Sequence, residues 1–217
     1  MPGSFTFALD GMRGDYGTDP AIAGAVKSLL ITYVLRIILV GDERIIDQGL
    51  THTDQSSKDR ITVIHTDEFI KMDEDIVSAI RNKKNSSMRL SINQVKTNSA
   101  HACVSAGNTG ALMALSKLIL KTVDGIERPA ITALWPNPKG NSVVLDLGAN
   151  IDVSPNQLIQ FGIMGYAYAI CVLKKEDPKI AILNIGHEEI KGSNNLQEAN
   201  DKLNNICLLY TSDAADE

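Results

Sequence analysis

Apolar residues fall along this chain in short runs that alternate with stretches of helical spacing. Phe5–Leu9, Arg36–Val40, Ile61–His65, Ala102–Ser105, Ile131–Leu134, Val143–Leu147 and Ile180–Leu183 read as strands. Between them, Ala21–Leu30 has a helical period. A second helix runs from the turn at Gly107–Gly110 to about Thr122, with Leu112, Leu115, Leu118 and Ile119 as its apolar stripe. A third holds Met88, Ile92 and Val95, with Ser86 or Ser87 placed to cap it. Ser154-Pro155-Asn156-Gln157 has the spacing of a capping box with proline in the first turn, and opens a helix to about Leu173. A last helix follows Gly192. Strands that alternate with helices predict βαβ units, an α/β fold and a largely parallel sheet covered on both faces. In such sheets a ligand crevice lies beyond the carboxyl ends of the strands.

Composition narrows this only a little. The chain has 217 residues, 44% of them hydrophobic, enough for a full core. Its formal net charge of −5 argues against nucleic acid as the main partner. Cys103, Cys171 and Cys207 form no CxxC pair, which points to reduced thiols rather than a disulfide framework or a zinc site. The N-terminal segment lacks the pattern of a signal peptide, and no apolar run is long enough to span a bilayer, so a cytoplasmic protein is expected.

Four polar, glycine-rich turns follow strands: Asp10–Asp15, Ser105–Gly110, Asp146–Asn150 and Asn184–Gly192. In a parallel sheet all four would emerge on one edge. Glycine admits close backbone approach, and the helix that follows offers open N–H groups and the positive end of its dipole. Ser105-Ala106-Gly107-Asn108-Thr109-Gly110 suits an anion best, because it enters a helix directly. Ordinary βα turns use the same residues. The dinucleotide fingerprint GxGxxG, the P-loop and the GxSxG nucleophile elbow are all absent. The most basic stretch, Arg81-Asn82-Lys83-Lys84-Asn85-Ser86-Ser87-Met88-Arg89, is either an anion site or a docking patch for an acidic protein, or else a solvated corner between helices. Gly186–Gly192 carries His187, Glu188, Glu189 and Lys191. Its adjacent carboxylates cannot face the same way, whereas Lys191 could aim an ammonium into the crevice. His52, His65 and His101 have no ligand spacing.

Several of these segments together resemble the PlsX family of phosphate acyltransferases. They are Leu39-Val40-Gly41-Asp42, Arg81 through Arg89, Ser105 through Met113, Gly125-Ile126-Glu127-Arg128-Pro129-Ala130, Leu145-Asp146-Leu147-Gly148-Ala149-Asn150, and Leu183 through Gly192. The resemblance runs in register from about Phe7 to about Leu203. It implies a three-layer α/β/α fold similar to the isocitrate and isopropylmalate dehydrogenase superfamily. It also implies an enzyme that moves an acyl group from acyl carrier protein to inorganic phosphate, feeding phospholipid synthesis. Such a protein would use no cofactor or metal, form a homodimer and associate peripherally with the inner face of the membrane. On this reading Gly107, Asn108, Thr109, Gly110, Gly14, Asp15, Ser86 and Ser87 hold phosphate, Lys191 and Asn108 are catalytic, and Arg81, Lys83 and Lys84 meet the carrier protein or an anion. The alternatives are an oxidoreductase of the same superfamily and an inactive fragment. Residues 1–205 would form one α/β domain lacking its C-terminal part, and 206–217 an unrelated or disordered tail. One departure stands out: Met12-Arg13-Gly14-Asp15 replaces the family's Met-Gly-Gly-Asp.

Overall fold

The computed structural model describes residues 4–12, 17–150, 152–183, 194–205 and 209–211. The chain divides into two units, Met1–Lys121 and Thr122–Glu217.

The first unit is built on a four-stranded parallel sheet of β1 (Phe5–Asp10), β2 (Leu35–Gly41), β3 (Ile61–His65) and β4 (Ala102–Val104). Their order across the sheet is β3-β2-β1-β4. β2 is central and nearly all apolar, as a strand covered on both faces must be. Its alternate residues divide the core into layers. Leu35, Ile37 and Leu39 meet Ile22, Ala25 and Leu29 of α1 (Asp19–Ile31) and Ile46 of α2 (Glu43–Gly49). Ile38 and Val40 point the other way and pack with Ala8, Ala100, and Leu90 and Val95 of α5 (Ser87–Lys96). Between β2 and α5 the chain forms α3 (Gln55–Lys58), β3 and α4 (Ile76–Asn82). α4, α5 and α6 (Thr109–Leu120) share a third cluster of Ala79, Met88, Ile92, Ala111 and Leu115. The three-layer α/β reading therefore holds within this unit.

The second unit departs from the expectation of further parallel strands. β5 (Ala133–Asn137) and β6 (Gly140–Val144) form an antiparallel hairpin, with Leu134 opposite Val143. The cause is chain length: residues 138–139 alone link the strands, far short of the crossover of a dozen or more residues that a parallel pair needs. Gly140 has φ +128, which closes the turn, and Lys139 N–H donates to Asn137 Oδ1 at 2.8 Å. α7 (Pro155–Cys171) opens on the capping box the sequence predicts: Gln157 N–H donates to Ser154 Oγ, and Ser154 N–H to Gln157 Oε1. α7 packs on α8 (Asn194–Asn205), where Gly162 leaves room for Leu203. β7 (Ile180–Ala181) pairs in parallel with β8 (Leu209–Thr211), which lies within the segment read as a tail. Among the described residues no helix is long and apolar enough to cross a membrane.

Candidate active site

β1 and β4 are adjacent and parallel, with Phe7, Ala8 and Leu9 opposite Ala102, Cys103 and Val104. Their carboxyl ends therefore meet, and the turns that follow them lie side by side. One buried carboxylate joins the two turns. Asp10, 3% exposed at the end of β1, accepts the hydroxyl of Ser105 on Oδ2 at 2.7 Å and Met12 N–H on Oδ1 at 3.3 Å. Ser105 Oγ in turn accepts Gly107 N–H at 3.1 Å. Asp10 and Ser105 stand 95 residues apart, so the link had no signal in local sequence. Only the parallel pairing of β1 and β4 creates it.

Asn108 is the N-cap of α6. Its Oδ1 accepts Ala111 N–H at 2.9 Å, and its Nδ2 donates to Met72 O at 2.7 Å. That cap satisfies one of the helix's open donors, and the N–H groups of Thr109 and Gly110 have no acceptor among the described residues. Two adjacent main-chain donors at the positive end of a twelve-residue helix suit an anion.

The two glycines have a packing cause that sequence reading did not distinguish from close approach to an anion. A Cβ on Gly107 would sit 2.9 Å from Met88 Cε and 3.6 Å from Asp10 Oδ2. On Gly110 it would sit 2.5 Å from Ile76 Cδ1. Both bare α-carbons are thus filled by neighbours, which leaves the amides as the part of the turn open to an anion.

The basic segment forms the corner between α4 and α5. Lys83 Nζ makes an ion pair with Glu74 at 2.6 Å, donates to Phe69 O at 2.6 Å and lies 5.6 Å from the centre of the Phe69 ring. The Lys83 donor holds the Glu74 carboxyl below the usual carboxylate range. Thr66 Oγ1 donates to Asn85 O, and Asn85 N–H donates to Glu68 Oε2. Lys83 thus fastens the loop that carries Met72, whereas Arg81 and Lys84 are exposed. Ser86 occupies the N-cap position of α5, yet its hydroxyl turns back to donate to Lys83 O at 3.2 Å rather than capping the helix. Ser87 is fully buried, and its N–H donates to Glu68 O. The next residue, Met88, is the one that abuts Gly107.

The expected gathering of four turns on one edge needs correction. Asp146–Asn150 follows the antiparallel β6 and belongs to the second unit. It is closed on itself: Asp146 accepts Ile131 N–H at 2.7 Å and Asn150 N–H at 2.8 Å, and Asn150 Nδ2 donates to Pro129 O. Gly14, Asp15 and Lys191, also expected at the site, lie outside the described residues.

Burial, and then the Asp10 carboxylate, push the Cys103 thiol up to about 12, which removes it as a nucleophile at neutral pH. His65 Nδ1 accepts Glu43 N–H, and His101 Nδ1 accepts Thr6 N–H. Among the described residues no three His, Cys, Asp or Glu side chains converge on a metal site.

Known proteins extend this picture. A phosphate acyltransferase from Methylococcus capsulatus is 47% identical over 194 residues, 89% of this chain and 57% of that protein. One from a Shewanella species is 48% identical over 203 residues, covering 93% and 59%. The chain thus spans less than three fifths of the length of these relatives. The EutD phosphotransacetylase of Staphylococcus aureus shares the fold, with a TM-score of 0.63 at 17% identity, over 94% of this chain and 66% of that one. A family described as "Fatty acid synthesis protein" matches residues 5–210. On that match and those identities, the chain belongs to the fatty acid synthesis protein family, the PlsX phosphate acyltransferases.

Proposed function

We propose that this chain belongs to an acyltransferase that converts acyl-acyl carrier protein and inorganic phosphate to acyl phosphate, for phospholipid synthesis. The observation that carries the reading is the open pair of N–H groups at Thr109 and Gly110, in a chain nearly half identical to proteins named phosphate acyltransferase. Phosphate is already anionic at neutral pH and needs little help from a base. The work lies in holding it against a thioester and stabilising the oxyanion.

In the reaction a phosphate oxygen attacks the thioester carbonyl carbon. A tetrahedral oxyanion forms, the C–S bond breaks, and the thiolate of the carrier's prosthetic arm leaves and is protonated. Thr109 and Gly110 amides, with Gly107 and Asn108 shaping their turn, hold the phosphate. Gly14 and Asp15 are proposed as further phosphate contacts, whereas Ser86 and Ser87, both buried, secure the start of α5. Lys191 neutralises the oxyanion or the departing thiolate, and Asn108 fixes the helix end that presents the donors. Arg81 and Lys84 receive the acidic carrier protein, while Lys83 supports the loop beneath them. The chain works as a homodimer at the inner face of the membrane.

Acyl phosphate formation, followed with acyl carrier protein thioester and phosphate, tests the assignment. Lys191→Ala should lower turnover by roughly two to three orders of magnitude, the size of one oxyanion donor's loss. Turnover unchanged in that variant would remove Lys191 from the chemistry.

A further inference from the structure

Asp10 is a poor neighbour for an anion. It is 3% exposed, and among the described residues no cation lies within ion-pairing distance of it. A buried carboxylate without a countercharge is costly and is retained only where something compensates it. Its two hydrogen bonds come from neutral donors, Ser105 Oγ at 2.7 Å and Met12 N at 3.3 Å, and leave it acceptor capacity. It also sits at the anion turn: a Cβ on Gly107 would lie 3.6 Å from Oδ2, and Ser105 bonds both Asp10 and Gly107. The turn whose amides attract an oxyanion is thus bonded, through Ser105, to a carboxylate that repels one.

The contradiction disappears for one class of ligand. An oxyanion that still carries a proton can take the amides with its bare oxygens and donate its O–H to Asp10. An oxyanion with no proton can do only the first, and meets the carboxylate as a like charge. We propose that Asp10 sets the specificity of the site, admitting hydrogen phosphate and excluding sulfate, which has the same shape and charge but no proton at neutral pH. The inference rests on the reading that the Gly107–Gly110 turn holds phosphate. Discrimination here comes from a repulsive group built against the wrong ligand as much as from attraction to the right one.

The test is binding of four tetrahedral oxyanions to this chain at neutral pH and constant ionic strength, by calorimetry. Hydrogen phosphate and hydrogen arsenate carry a proton; sulfate and selenate do not. The unsubstituted protein should bind the first two at least about tenfold more tightly than the last two, the scale of one hydrogen bond to a charged group. Asp10→Asn should weaken phosphate and strengthen sulfate until they lie within about threefold. Were Asp10 only a brace for Ser105, the variant would weaken all four anions alike, and that outcome overturns the proposal. Sulfate bound as tightly as phosphate by the unsubstituted chain overturns it too, and needs no variant that folds. No binding of either anion would instead overturn the phosphate site itself, and with it this inference.

Discussion

At Gly110 two explanations of one residue can be separated. Its missing side chain makes way for Ile76 Cδ1, so Gly110→Ala should destabilise the protein by about 1–3 kcal/mol through overpacking. Trimming the neighbour in Gly110→Ala with Ile76→Val should restore both the denaturation midpoint and phosphate binding. Restored stability without restored binding would mean that the anion needs the bare α-carbon. Cys103 gives a second test at this scale. Its thiol holds its proton up to about 12 in the folded chain, against 9.0 unperturbed. The unfolded state therefore releases that proton first, and the residue's contribution to stability is present below pH 9.0 and lost as pH rises toward 12. Cys103→Ser should flatten that part of the stability profile. In the folded protein at mildly alkaline pH, mass spectrometry should find alkylation at exposed Cys171 and not at Cys103.

Among the elements, the corner between α4 and α5 shows how far local pattern carries. Its basic residues were legible, and so was a helix starting near Ser86. The partner of Lys83 was not, because Glu74 meets it only once the loop after β3 folds back. That ion pair lowers the Glu74 value, so its stabilisation is present above pH 4.5 and is lost as pH falls through the lower native value. Lys83→Met should therefore be less stable than the unsubstituted chain at neutral pH and equal to it in strong acid, as read by denaturant midpoints across pH. An equal deficit at both pH values would assign the loss to packing on Phe69 instead. The hairpin of β5 and β6 is the opposite case: two strands were expected here, but they lie closer to the turn than read and pair antiparallel, although the short gap between Leu134 and Val143 already excluded a parallel crossover.

For the whole molecule, what sequence conveyed was the alternation that produces layers. β2 is the clear example, its odd residues facing α1 and α2 and its even residues α5. What it could not convey was which turns become neighbours, since that follows from strand order. Of four candidate turns, strand order brings together those after β1 and β4 and assigns Asp146–Asn150 to another unit. The three buried clusters that involve the parallel sheet and its helices all fall before Lys121. A fragment ending at Lys121 should accordingly unfold in one cooperative transition and still bind phosphate; a fragment without cooperative unfolding would show that the second unit is needed for the first to fold. At this scale too the proposed phosphate position is the open pair of amides at the start of α6. Amide chemical shifts, followed by NMR while phosphate is titrated into the chain, test it most directly. The largest saturable shifts should fall on Thr109 and Gly110, with Gly107 and Ser105 beside them. Saturable shifts centred elsewhere, or none at all, would rule this position out.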